Sequence, residues 1–333
     1  MTVILAVALA GNASAQSAEE FYRGKSVKLI VGSDVTGEYD ATARLLVRHL
    51  PKHWPGRPSI IVQNMPGASG IKSANYLYAI APRDGSVMAT FNKSMPLYEV
   101  ARVSNTNYKS AEFNWIGSLT HSNNLVVVAA RTGVRTVQDA KIREVTMGSI
   151  GAGGTMSTYP LILNNALGTR FRLVQGYAGG QLVDLALERG EVDGRGSYTW
   201  ADLKVKRAHW LNNNTVNVLV QFGLEREPDL ADVPVPVDLG RNDLERAAFA
   251  FLSSDIPIGK PFIMPPSVPP DRVAAARKAF ADTMRDPAFL ADAKATDTEV
   301  KPILGTELQA VVKKIVVTSP EVVRVAEQWM ADK

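Results

Sequence analysis

The chain has 333 residues, 46% of them hydrophobic and 21% charged, the composition of an ordinary folded protein of about two domains, which argues against a fibre or a disordered chain. With no cysteine, disulfides, cysteine–histidine zinc sites and thiol catalysis are excluded together. The net charge of +4 is spread along the chain without a dense basic run, so it reads as a solvated surface and not as a nucleic-acid interface.

Residues 3–10 are an apolar run, and Ala13-Ser14-Ala15 precedes Gln16 as a cleavage pattern does. The run is too short to span a bilayer. It predicts a signal peptide over 1–15, cleaved near Ala15-Gln16, and an exported, soluble protein. Residues 27–31 read as a buried strand. A helix over 41–50 follows, with Ala43, Leu46, Val47 and Leu50 on one face. A strand at 59–63, a helix at 69–80 and a strand at 87–91 complete a βαβαβ rhythm, which predicts a parallel sheet covered on both faces. Residues 115–129 carry a strand pair or one long strand. The rhythm then restarts with a strand at 144–149, a helix beyond Thr155, a strand at 171–174, a helix at 181–189 and a strand at 216–222. The proline-dense stretch 257–270 holds the strand 262–264 and reads as a return crossing. Helical segments at 271–284, 287–295 and 306–315 should then pack mainly on the first lobe. The expected architecture is α/β in two lobes, 16–122 with 258–333 and 123–257, hinged at two crossings.

Two strand-to-helix turns are rich in glycine. The first is Gly32-Ser33-Asp34-Val35-Thr36-Gly37, and the second is Gly148-Ser149-Ile150-Gly151-Ala152-Gly153-Gly154-Thr155. Each would set a helix N-terminus, with free N–H groups and the positive dipole end, at the carboxyl end of a strand. That is where anions bind and where ligands of open α/β sheets sit. Facing each other, the two turns would clamp a small anion. Neither supports a nucleotide: the first lacks G-x-G-x-x-G spacing, and the second has no following lysine. A third glycine-rich connection, Tyr177-Ala178-Gly179-Gly180, opens the helix that contains Asp184. Tyr177 and Tyr198 can lie across an organic ligand or simply pack. Arg195 can grip a carboxylate or pair with Asp193 or Glu191. Catalysis has little support. His49 and His53 are spaced i, i+4 without a third ligand, and no Gly-x-Ser-x-Gly elbow occurs. No catalytic residue, metal or cofactor is expected.

Five blocks in order resemble a known family: residues 21–31, 39–46, 62–70 with their Asn64-Met65-Pro66-Gly67 turn, Ala81-Pro82-Arg83-Asp84-Gly85, and 261–269. Together they look like the substrate-binding proteins of tripartite tricarboxylate transporters, the Bug family of periplasmic receptors. The resemblance implies a type II-like periplasmic-binding-protein fold that closes on its ligand like a Venus flytrap. It implies a solute receptor that hands a small carboxylated metabolite to membrane subunits made by other chains, and a monomer suits that role. On this sequence the family's binding positions fall on Val35, Thr36, Gly37, Glu38, Tyr39 and Asp40, on Ser149, Gly151, Ala152, Gly153, Gly154 and Thr155, on Tyr177, Ala178, Gly179, Gly180 and Asp184, and on Asn92 and Ser94. Tyr198 is added for ligand shape. Where the family has small residues, this chain has Glu38, which would repel a carboxylate facing it. Either Glu38 points to solvent or the ligand presents an amine, amide or hydroxyl there. An exported hydrolase using the same cleft, or a receptor feeding a sensor, are the alternatives.

Overall fold

The computed structural model describes residues 16–35, 37–151 and 154–332. The expected signal peptide over 1–15 lies outside the described residues, as do Thr36, Ala152 and Gly153. The strands are β1 (Ser26–Val31), β2 (Ser59–Asn64), β3 (Val87–Thr90), β4 (Asn114–Ser118), β5 (Asn124–Ala129), β6 (Val145–Gly148), β7 (Phe171–Val174), β8 (Gly194–Thr199), β9 (Val216–Phe222), β10 (Pro261–Met264) and β11 (Ile303–Leu304). The helices are α1 (Ala18–Tyr22), α2 (Glu38–Val47), α3 (Ile71–Ala79), α4 (Met95–Val100), α5 (Val137–Ile142), α6 (Thr155–Leu167), α7 (Gly180–Arg189), α8 (Trp200–Lys206), α9 (Ala208–Asn212), α10 (Asp243–Ser253), α11 (Pro270–Thr283), α12 (Pro287–Ala295), α13 (Gly305–Val316) and α14 (Pro320–Met330).

The strands form two sheets of the same design. One runs β11-β4-β10-β3-β1-β2 and the other β7-β6-β8-β5-β9. In each, the lobe's first strand (β1 or β6) lies between its second and third, all parallel. An antiparallel strand, β10 or β5, comes next and belongs to a crossing from the other lobe. The segment 115–129 is thus two strands that never pair, one in each sheet, and the link between them is the first crossing. The return crossing runs beside it: Leu119 N–H donates to Lys260 C=O at 3.1 Å, and Lys260 N–H donates to Thr120 C=O at 3.1 Å.

Side-chain alternation along the strands builds the core on both faces of each sheet. Val27, Leu29 and Val31 point to a cluster under α1, α2, α11 and α12, whereas Ile30 points the other way. In the second sheet Leu125, Val127 and Ala129 pack with Trp200 and Trp210, and Val126 and Val128 join the inner cluster with Ile30. Helices α11, α12 and α13 pack on the first sheet's side, as expected. The last helix differs. The expected division places 258–333 with the first lobe, but α14 packs on α6 and α10. Trp329 packs tilted against Phe249, ring centres 4.6 Å apart, and Asn165 Nδ2 donates to the carbonyls of Trp329 and Ala331, each at 2.9 Å. The amphipathic face of α14 was not read from the sequence, so this third crossing, between α13 and α14, was missed.

His49 and His53 each hold an aspartate of α12, Asp292 within the helix and Asp286 at its N-cap, not a shared metal. His49 Nε2 lies 2.8 Å from Asp292 Oδ2, and His53 Nε2 lies 2.8 Å from Asp286 Oδ2. Lys52 and then His53 hold the Asp286 carboxyl far below the usual carboxylate range, and Arg48 and then His49 lower Asp292. A carboxyl depressed by folding adds stability above its unfolded pKa of about 4 and loses it as pH falls through the folded value. The melting temperature is therefore expected to drop steadily below about pH 4. A double variant Asp286→Asn, Asp292→Asn should melt lower at pH 7 and show a flatter acid limb, checked by thermal melts from pH 7 to 2.

Candidate functional site

Because β1 and β6 occupy the same place in their sheets, the two glycine-rich turns are topological counterparts. Each leaves the carboxyl end of a strand at the point where the chain order reverses, between that strand and its lobe's third strand. The N-caps of α2, α6 and α7 are Gly37, Gly154 and Gly179, none of which can cap with a side chain. By contrast α5, α8, α10, α12 and α14 start on Thr136, Thr199, Asn242, Asp286 and Ser319, each accepting from a first-turn N–H. Glycine N-caps keep the positive helix ends open to an external anion.

The first turn is tied down from behind. Gly32 N–H donates to Thr90 C=O at 2.8 Å, and a Cβ at Gly32 would run into Ser73 and Phe91. Asn64 Nδ2 donates to Ser33 C=O at 3.0 Å and to Asp40 Oδ1 at 2.9 Å, and Arg44 Nε donates to Asp40 Oδ2 at 2.8 Å. Asp40 is buried, with its carboxylate turned to Asn64 and Arg44, so it braces the turn. Val35 projects outward, 59% exposed. Tyr39 reaches back to the exit of β3, where its hydroxyl accepts Lys93 N–H at 3.0 Å. Burial raises its phenol well above the ordinary value, so it stays protonated. The Glu38 carboxylate is half exposed and lies 3.7 Å from Lys260 Nζ on the return crossing. That cation offsets the repulsion expected of Glu38.

The exit of β3 forms a polar knot. Asn92 Oδ1 accepts Ser94 N–H at 3.0 Å, and Ser94 Oγ donates to Asp255 Oδ2 at 2.5 Å. Lys93 Nζ stands 3.5 Å from Asp255 Oδ1. Burial lowers the Lys93 ammonium pKa, against the opposing pull of Asp255.

In the second turn Ser149 is fully buried. Its Oγ lies 2.5 Å from Ser157 Oγ, and Ser157 Oγ donates to Gly151 C=O at 2.9 Å. Both hydroxyls staple the turn from inside. Thr155 Oγ1 donates to Ser197 Oγ at 3.0 Å. In the third connection, Tyr177 packs over Gly148 and against the outer core of the second sheet. Asp184 is 2% exposed, and its two oxygens take Arg195 Nη1 at 2.5 Å and Arg207 Nη2 at 3.2 Å. Arg195 therefore pairs with neither Asp193 nor Glu191; Asp193 instead accepts from Arg131 and Thr146. Tyr198 lies beneath the Arg195 guanidinium, 4.1 Å from ring centre to Cζ, and edge-on to Trp210. The structure thus gives Asp40, Ser149, Asp184 and Tyr198 internal partners, while Gly37, Gly154 and Gly179 cap the open helix ends.

Ser94 at the exit of β3 and Thr155 at the start of α6 meet at a cavity between α4 and α6, which none of the described residues of the first turn lines. It holds about 30 Å³, room for one or two waters. Ser94 and Thr155, expected from the sequence, line it together with Tyr98, Tyr159 and Asp255, which were not. Tyr98 follows Ser94 and Tyr159 follows Thr155 at i+4, a helical spacing that would have found both. Tyr159 stacks flat on Phe222 at 3.7 Å, and its hydroxyl accepts Asn124 Nδ2 at 3.3 Å. Asp255 arrives by topology and leaves no local signal.

Residues 44–322 match the model of the tripartite tricarboxylate transporter family receptor. The chain belongs to this family. Solved structures similar to it include the periplasmic binding protein BugD, at a TM-score of 0.64, 19% identity and coverage of 92% of this chain and 98% of that one. An adipate-bound protein of Rhodopseudomonas palustris aligns at a TM-score of 0.65 and 19% identity over 91% and 97% of the chains. The malate-bound protein MatC of the same organism aligns at 0.64 and 18% over 92% and 99%. These likenesses establish the two-lobed binding-protein fold of this tricarboxylate-transporter receptor. Among the described residues no helix is long and apolar enough to cross a membrane.

Proposed function

We propose that this receptor captures a small carboxylate-bearing metabolite between its lobes and passes it to the membrane subunits of a tripartite transporter. The ligand carboxylate sits on the open N-termini of α2 and α6, with Val35, Gly37, Glu38 and Tyr39 on one side and Gly151, Gly154 and Thr155 on the other. Asn92 and Ser94 form the floor, and Gly179 and Gly180 with Tyr177 form the second-lobe wall. Asp40, Ser149, Asp184 and Tyr198 hold these groups in place. The observation that carries the reading is the shared cavity: Ser94 from the first lobe and Thr155 from the second line the same space. Its present volume is that of one or two waters, so entry of a metabolite requires the lobes to part about the crossings. Relatives of this fold with malate and adipate bound support the choice of ligand chemistry.

The test is a melting screen of the mature chain, unfolded and refolded to remove carried-over solute. At about 100 times its dissociation constant a true ligand adds about 2.7 kcal/mol of stability. A panel of organic, aromatic and amino acids should contain at least one such stabiliser, recovered unchanged after long incubation. A folded protein stabilised by none of them, or one that converts its ligand, overturns the proposal.

A further inference from the structure

We propose that Asp255 sets the ligand class: its carboxylate accepts a hydrogen bond from an ammonium or hydroxyl group on the bound acid, so the receptor prefers a donor-substituted carboxylic acid to the unsubstituted one. The inference rests on the carboxylate-receptor reading above and deepens it.

Asp255 is 2% exposed and lines the interlobe cavity beside Ser94, Thr155, Tyr98 and Tyr159. Its two oxygens differ. Oδ2 takes the Ser94 hydroxyl at 2.5 Å. Oδ1 is fully buried and has no hydrogen-bond donor among the described residues. Its nearest cation, Lys93 Nζ at 3.5 Å, is beyond the usual 2.7–3.2 Å of a good N–H···O bond. Buried acceptors are nearly always paired, and one left open beside a cavity marks a place for a donor from outside. A ligand N–H or O–H completes the shell of Oδ1. A second carboxylate there meets an oxygen with no proton to offer, across a site where Lys93 offsets only one of the two negative charges. That Oδ1 has no hydrogen-bond donor and that Asp255 lines the cavity are separate observations, and they point to the same donor.

Calorimetry of the refolded chain with matched acids tests this: L-aspartate and L-malate against succinate, and L-glutamate against glutarate. In at least one set the substituted acid should bind tenfold or more tightly than its unsubstituted partner. Asp255→Asn should weaken the substituted acid at least tenfold and leave the unsubstituted one within threefold. A wild-type protein that binds the unsubstituted acids as tightly overturns the assignment, and so does Asp255→Asn weakening both acids alike. Binding of none of the five acids overturns it too, whereas the receptor reading falls only if the broad panel also fails. The wild-type comparison decides the matter even where Asp255→Asn does not fold.

Discussion

Gly259→Ala is expected to lower the unfolding free energy by about 4 kcal/mol, a loss exceptional for one methyl group. Gly259 has φ 56° and ψ −119°, a backbone region closed to side chains. Holding alanine there costs about 1–3 kcal/mol. An added Cβ would also overlap the carbonyl oxygen of Thr120 and press on Ser118 Oγ at 2.9 Å. The Thr120 carbonyl accepts the Lys260 N–H, so it cannot retreat without breaking the ladder between the two crossings. Overpacking of that kind adds about 1–3 kcal/mol. Gly168 supplies the control. Its φ of 77° is also left-handed, but nothing lies within 4 Å of its would-be Cβ. Gly168→Ala should therefore cost only about 1 kcal/mol. Urea unfolding of both variants checks the difference, and equal losses would mean that the crossings do not press on each other at Gly259.

Asp184→Ala should destabilise by about 3–5 kcal/mol, the usual result of stripping the partner from a buried cation. The Arg195 side chain is 9% exposed and Arg207 22%, so both guanidinium groups would be left near each other with little water. The pair matters beyond stability. Arg195 Nη1 also donates to Gly180 C=O at 3.3 Å and its Nε to Ser197 C=O at 2.8 Å, so it links the start of α7 to the strand beneath Thr155. A double-mutant cycle with Arg195→Ala should recover part of the loss, because it removes the more buried of the two cations and leaves Arg207, whose Nε lies 3.7 Å from Glu188 Oε1. Additive losses would show that the two residues act separately.

The βαβαβ rhythm of each lobe was legible because buried parallel strands are short apolar runs and their covering helices are periodic. Residues 26–31, 59–64 and 87–90 needed only local pattern, and so did the helices at 155–167 and 180–189. β8 was not read: Gly194, Arg195, Gly196 and Ser197 look like a loop, yet Gly196 is small because α6 packs against it at Pro160. α14 was not read either, since its partners α6 and α10 lie far away in sequence. At the site, the glycine N-caps could be foreseen from glycine alone. The roles of Asp40, Ser149 and Asp184 could not, because a carboxylate or hydroxyl near a turn reads the same whether it faces a ligand or braces the backbone. Asn64, Ser157 and Arg207 decide that, and they meet these residues only in the folded chain, whereas Arg44 is a helical neighbour of Asp40 at i+4. Glu38 is the clearest case: its charge looked adverse until Lys260, more than two hundred residues later, came within 3.7 Å of it.

As proposed, the two lobes close on a carboxylate held between the starts of α2 and α6. Since the chain has no cysteine, spin labels can be placed on Lys72→Cys in the first lobe and Leu182→Cys in the second, both exposed positions. Their distance distribution, measured by pulsed electron resonance with and without the acid that most raises the melting temperature, tests closure directly. Lobe closure gives a broad or longer distribution in the refolded, ligand-free protein and a single shorter distance with the acid bound. A distribution that the stabilising acid leaves unchanged would contradict it.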